Sequence, residues 1–195
     1  MERAEDPKSF VGESDDQLIL QTREGDRRAF DLLVKRYQKR VYFLALRMAR
    51  DHDAADDIAQ ETFVRAYFAI GSFTLGRNFY TWLYRICMNL SINHIKRRKF
   101  AVPASQMSDE SDPLEQAASA PNPSEALLSK EKTARIESAI DSLSPKYKAV
   151  LVLRAYEDMS YEDIARTLDI SVGTVMSRLF RAREKIRDVL EEDER

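Results

Sequence analysis

The chain has 195 residues, 33% of them charged, with five glycines, six prolines, a single cysteine and a net charge of −2. That length holds one large domain or two small ones, and few glycines and prolines with many charges suit a helical protein. The near-neutral charge excludes a general nucleic-acid coat, the lone Cys87 excludes an internal disulfide, and no apolar run is long enough to span a membrane.

Residues 1–13 are polar and carry no helical period. Ser14 with Gln17 forms a helix-capping pair ahead of Leu18, Ile19 and Leu20, and Gly25 stops that helix. Asp26 caps a long helix whose apolar residues are Phe30, Leu33, Val34, Tyr37, Val41, Leu44, Ala45 and Met48, a close match to a 3.6-residue period. After a turn at residues 51–53, Asp53 starts a third helix to about Ile70, with Ala55, Ile58, Ala59, Phe63, Ala66 and Tyr67 inward. Gly71 ends it.

A short loop follows over residues 73–78, and Asn78 caps a helix running to about Lys99. Phe73, Phe79, Tyr80, Trp82 and Tyr84 crowd into a dozen residues, then come Asn89, Ser91, Asn93 and His94, then Lys96, Arg97, Arg98 and Lys99. Aromatics in such a cluster serve a core, and a basic helix end suits the dipole. Aromatics beside amides and a cationic run also suit single-stranded nucleic acid, since bases stack on rings while Lys and Arg follow the backbone. Asn89, one or two helix turns behind the loop, either completes a base pocket with it or is a plain surface amide of the helix.

From residue 101 to 128 there is no Lys, Arg or aromatic residue, and Ala, Ser, Pro, Asp and Glu dominate. This is read as a flexible acidic linker between domains at 14–100 and 129–195. The second domain carries a helix through Leu127, Leu128, Ile136, Ile140 and Leu143, and another opened by Ser144-Pro145. Ser160 caps a short helix over residues 161–168, and Ser171 caps the last, with Val172, Val175, Leu179, Ala182 and Ile186 on one face. The opposite face carries Thr174, Met176, Ser177, Arg178, Phe180, Arg181 and Lys185. Two helices joined by a tight turn make a helix-turn-helix. A solvated basic face is the plain alternative, but Met176 and Phe180 lie off the core stripe, where folding has no use for them. A DNA-reading helix uses such groups on thymine methyls and Arg on guanine edges. The fold class is therefore all-α, with two small helical domains.

No chemistry competes strongly. His52 and His94 lack partners at metal-ligand spacing, no Gly-rich phosphate loop occurs, and no nucleophile-base constellation can be assembled. No cofactor, metal or enzymatic activity is expected. The first residues lack the apolar core of a signal peptide, so the cytoplasm is the expected compartment. Two rival readings are a conventional helix-turn-helix regulator with an N-terminal sensor domain, and a metal-dependent nuclease using Asp56, Asp57 and Glu61. The aromatic and amide cluster speaks against the first, and the absence of acidic partners elsewhere speaks against the second.

Four stretches carry a resemblance: Gly-Asp-Arg-Arg-Ala-Phe-Asp-Leu-Leu-Val-Lys-Arg-Tyr (25–37), Asp-Asp-Ile-Ala-Gln-Glu-Thr-Phe-Val-Arg-Ala-Tyr (56–67), Phe-Tyr-Thr-Trp-Leu-Tyr-Arg-Ile (79–86) and the helix-turn-helix. In this order and spacing the chain resembles bacterial sigma factors of the extracytoplasmic-function group. The resemblance implies an N-terminal region-2 domain whose Asp56, Asp57, Gln60, Glu61 and Phe63 dock on the clamp helices of core RNA polymerase. It also implies that the 73–78 loop and the helix after it open the −10 element and hold a flipped base. Phe73, Asn78, Tyr80, Trp82, Arg85, Asn89, Lys96, Arg97 and Arg98 are the residues expected to meet that DNA. The C-terminal region-4 domain is expected to read the −35 element with Thr174, Met176, Ser177, Arg178, Phe180, Arg181 and Lys185, and to dock on the polymerase flap. An anti-sigma factor, commonly membrane-anchored, is the further implied partner. One departure stands out: Met176 precedes Ser177 where the family often has Arg or Lys.

Overall fold

The structure is a computed structural model that describes residues 13–101 and 123–192. Those residues form helices and no strands. Contacts divide the chain into two units, residues 1–91 and 92–195.

The N-terminal unit starts with α1 (Asp15–Arg23). The Ser14 hydroxyl accepts from the Gln17 amide at 3.3 Å while Gln17 Oε1 accepts from the Ser14 amide at 2.8 Å, the reciprocal cap expected. Leu18 and Ile19 are fully buried, and Gly25 adopts φ +102°, which turns the chain. Asp26 caps α2 (Arg27–Ala49) by accepting from the Arg28 amide at 2.8 Å. Its period holds: Phe30, Leu33, Tyr37, Val41, Leu44, Ala45 and Met48 are buried, and Val34 is half-buried. The Tyr37 hydroxyl donates to Asp15, and Arg36 also bonds that carboxylate, so α1 is tied to α2. Burial raises the Tyr37 pKa well above the usual tyrosine value, and Asp15 adds to the effect.

Helix α3 is His52–Ala69, capped not by Asp53 but by Asp51, whose carboxylate accepts from the Ala54 amide at 2.9 Å. Asp51 has the extended backbone of a cap, whereas Asp53 sits in the first turn, where a negative charge suits the dipole. Ala55, Ile58, Ala59 and Ala66 are buried, while Phe63 and Tyr67 are half-buried. A 3-10 turn (Ile70–Ser72) ends it, and α4 (Phe79–Ala101) buries Phe79, Leu83, Tyr84, Cys87 and Met88.

In the C-terminal unit, α5 (Pro123–Ser142) begins inside the segment read as linker. Residues 123–128 are therefore helical; Pro123 opens the helix, where its fixed φ is no obstacle. The linker expected before them lies outside the described residues. Ile136, expected inward, is 45% exposed: Ala139 and Leu143 hold the buried positions, and periodicity marks a stripe without saying how much of it is covered. Helices α6 (Pro145–Ala155), α7 (Tyr161–Leu168) and α8 (Val172–Glu192) follow. Leu143, Tyr147 and Ala182 form a core with Leu151 and Ile186 against it. Val150, Leu153, Met159, Ile164, Val175 and Leu179 are also buried. Lys148, almost fully buried, donates to Asp141 at 2.7 Å and joins α6 to α5.

Candidate nucleic-acid interface

Helix α8 is delivered by the turn after α7. The Ser160 hydroxyl accepts from the Asp163 amide at 3.1 Å and donates to its carboxylate, so α7 starts on a defined cap. Arg166 donates to Asp163 at 2.7 Å, and that bond, with Ser160's, holds the Asp163 carboxyl below the usual range against partial burial. Asp169 takes φ +55°, ending α7, and Ser171 accepts from the Thr174 amide at 3.1 Å to start α8. Val175, Leu179 and Ala182 are buried, which turns the opposite face outward.

That outward face matches the expected one with two qualifications. Met176 is 54% and Phe180 62% exposed, flanked by exposed Ser177, Arg181 and Lys185. Thr174, however, is half-buried and its hydroxyl is shared with Ser171 at 2.8 Å, so it serves the cap first. Arg178 is half-buried as well. The Arg181 guanidinium faces the Tyr147 hydroxyl of α6 and, with Lys146 and Lys185, holds that pKa below the usual tyrosine value.

In the N-terminal unit the loop between α3 and α4 is built around polar ties. Arg77 donates its amide to Thr74 O at 3.2 Å, and Gly76 has φ +76°, the positive value that the third residue of a type II turn needs. Arg23 of α1 donates Nε and Nη2 to Ile70 O at 3.0 and 2.9 Å, and Nη2 also to Phe73 O. Asp16 of α1 accepts from the Gly76 amide at 2.9 Å. Neither residue was marked by the sequence, since no local spacing links α1 with a loop some fifty residues later.

Phe73 corrects an expectation. It is buried, with its ring edge-on to Phe79 and Trp82 at 5.5 Å to each, so it supports the loop from beneath and shows DNA no stacking face. A loop has no period, so aromatic composition alone could not say which ring turns inward. Thr74, Leu75, Gly76, Arg77 and Asn78 are exposed. Tyr80 and Trp82 are half-buried; Arg85 and Asn89 are exposed, as are Lys96, Arg97 and Arg98 further along α4. Asn89 is not one or two turns behind the loop. Ten residues separate it from Phe79, about 15 Å along a helix axis. Asn78, Trp82, Arg85 and Asn89 recur every three or four residues and so share one face. The arrangement is a track along α4 rather than one compact pocket.

On α3, Asp56, Asp57 and Gln60 are exposed, Glu61 is half-buried and pairs with Arg65 at 2.7 Å, and Phe63 is half-buried. Sequence reasoning missed Val64, 50% exposed, and Phe68, 83% exposed. They continue the stripe of Asp57, Gln60 and Glu61, and the signal was there: two apolar residues four apart, off the core face, as with Met176 and Phe180. At the start of α3, Tyr42 Oη and His52 Nδ1 are 2.6 Å apart, and partial burial with the Asp56 charge raises the Tyr42 pKa.

Among the described residues no group of three His, Cys, Asp or Glu could hold a metal ion, and no helix is long and apolar enough to cross a membrane.

Comparison with known proteins agrees along most of the chain. Residues 33–101 match the description "Sigma-70 region 2" and residues 133–186 match "Sigma-70, region 4". The RNA polymerase sigma-H factor of Pseudomonas aeruginosa is 41% identical over 183 residues, covering 92% of this chain and 95% of that protein. The ECF RNA polymerase sigma factor SigW of Bacillus subtilis is 38% identical over 176 residues, covering 88% and 94%. Among solved structures, CnrH in complex with the cytosolic domain of CnrY superposes with a TM-score of 0.66 at 28% identity, covering 93% of this chain and 99% of that one.

Proposed function

We propose the following division of labour for this chain, which belongs to the extracytoplasmic-function sigma factors of the sigma-70 family. It is a transcription initiation factor that binds core RNA polymerase and directs it to promoters. The C-terminal helix-turn-helix reads the −35 element and the N-terminal domain recognises and melts the −10 element. It acts in the cytoplasm, where the polymerase works. The observation that carries the assignment is the outward face of α8, where Met176 and Phe180 stand more than half exposed beside exposed Ser177 and Arg181.

Phe180 and Met176 meet thymine methyls, Arg181 reads a base edge, and Lys185 with Arg178 follows phosphates. Asp56, Asp57, Gln60, Glu61 and Phe63 dock on the polymerase clamp, with Val64 and Phe68 extending that surface. Asn78 at the head of α4, with Trp82, Arg85 and Asn89 along it, guides the opened strand, while Lys96, Arg97 and Arg98 hold its backbone; Tyr80, on another side of the helix, packs on Tyr84. Phe73 supports the loop from below. Stacking is worth roughly 1–3 kcal/mol per base and extruding a base costs a few kcal/mol, so one or two ring and amide contacts suffice to hold a base out. An anti-sigma factor restrains the free protein; CnrH, solved with the cytosolic domain of CnrY, supports such a partner, and a membrane-anchored one is the form we favour.

Permanganate footprinting of the holoenzyme tests the melting assignment. Asn89→Ala should lower the reactivity of −10 thymines while leaving core binding and duplex −35 binding as in the parent. Full strand opening by that variant removes Asn89 from the track.

A further inference from the structure

We propose that Arg23 and Asp16 of α1 are positioning residues that hold the −10 loop in the form that accepts a base. The proposal rests on the reading of residues 73–78 as part of the −10 site.

The loop has little else to order it. Residues 74–78 are exposed, and its internal turn carries one hydrogen bond, from Arg77 to Thr74. Phe73 anchors its beginning by burial. At the end of α3 the last carbonyls have no partner further along the helix. Ile70 O accepts from the Phe73 amide at 3.3 Å, and Arg23 supplies two more donors to the same oxygen at 3.0 and 2.9 Å. The same guanidinium reaches Phe73 O. Because the guanidinium is planar and its donors are fixed relative to one another, it sets the separation of the two carbonyls.

At the tip, the Asp16 carboxylate takes the Gly76 amide at 2.9 Å. A charged acceptor makes that bond stronger than a neutral one. Asp16 and Arg23 stand seven residues apart on α1, two turns along one side, about 10 Å along the axis. One short helix therefore grips both the root and the tip of the loop. That helix is itself fixed: Leu18 and Ile19 are fully buried, and Asp15 bonds Arg36 and Tyr37 of α2. Neither Arg23 nor Asp16 meets DNA in this account. They raise the fraction of molecules whose loop is ready, and apparent affinity scales with that fraction.

The test uses the holoenzyme formed from the full chain and core polymerase, on a promoter that it opens. Strand opening is read by permanganate, loop order by amide hydrogen exchange over residues 70–77, and integrity by thermal midpoint and affinity for core. Arg23→Met and Asp16→Ala should each lower opening about tenfold, as expected when the ready fraction falls to about a tenth. Loop exchange should rise, and core affinity should stay within about twofold of the parent. Asp16→Asn keeps an oxygen acceptor and should restore opening to within about twofold of the parent; a merely structural loss of charge predicts no such rescue. If Arg23→Met does not fold, the Asp16→Ala and Asp16→Asn pair decides alone. Faster loop exchange with unchanged opening overturns the proposal, as does unchanged exchange together with unchanged opening. A Leu75→Ala, Asn78→Ala double variant separates the two layers. If it opens DNA normally, the reading of the loop fails; if it does not while Asp16→Ala and Arg23→Met do, only the positioning role fails.

Discussion

Replacing Phe180 by Ala should weaken specific DNA binding without weakening the fold. Complete burial of a Phe side chain removes about 150–250 Å² from water. Phe180 is 62% exposed, so most of its ring contributes nothing to the packing of α8. Roughly 100–150 Å² of it is still available to a partner, worth roughly 2–4 kcal/mol if fully covered at about 25 cal/mol per Å². A groove contact covers about half of such a side chain, leaving about 1–2 kcal/mol, a loss of roughly five- to thirtyfold in affinity. Surface substitutions without special features stay within about 0.5 kcal/mol in folding stability. The assay is fluorescence anisotropy on a duplex selected from random sequence by the protein itself, beside a scrambled duplex, with urea denaturation in parallel. Binding of the selected duplex at parental affinity would refute the reasoning. So would an equal loss on both duplexes, or a fall in stability of more than about 1 kcal/mol, since either would place the ring elsewhere than against a base.

Arg181→Ala should cost about 1–3 kcal/mol on the selected duplex and much less on the scrambled one, whereas Lys185→Ala should weaken both alike and flatten the salt dependence; parallel salt titrations separate them. Asp57→Arg reverses an exposed charge on α3 and should weaken core polymerase binding roughly five- to thirtyfold, read by fluorescence titration with core enzyme, while the thermal midpoint stays put. Gly76→Ala meets no atom within 4 Å, so its cost comes from φ +76° alone, about 1–2 kcal/mol of local stability, seen as faster amide exchange over residues 70–77. The Asp163 carboxyl titrates below its usual value of 3.8 in the folded chain, so its contribution is complete above that pH and is lost as pH falls through the folded value. Thermal midpoints of the parent and Asp163→Asn should therefore differ most above about pH 4 and converge below it.

How far the sequence reached depends on the range of each interaction. Ser14 with Gln17, Asp26 and Ser160 were legible as caps because a cap and its partner amide lie two or three residues apart. The inward face of α2 was legible because Phe30, Leu33, Tyr37, Val41 and Leu44 repeat at the helical period and are all covered. Ile136 obeys the same kind of period but is exposed, since coverage is set by what packs against α5 and not by α5 itself. Asp51 and Asp53 are both acidic residues beside one turn, and only the backbone distinguishes cap from first turn. For the candidate site, the outward residues of α8 followed from the same period that defines its core. The loop was different: Phe73 turned inward and Arg23 with Asp16 took its backbone from α1, by side-chain bonds to main chain across 47 to 60 residues. Such bonds leave no periodic trace. Val64 and Phe68 were legible as well, being apolar residues four apart and off the core face of α3.

Run-off transcription with purified core RNA polymerase on a genomic fragment library decides whether this chain directs promoter-specific initiation. Discrete transcripts are expected that appear only when this protein is added, start a fixed distance downstream of a shared pair of elements, and disappear with Asp57→Arg. Transcripts identical to those of core enzyme alone, with the added protein demonstrably bound to it, would show that it does not select promoters.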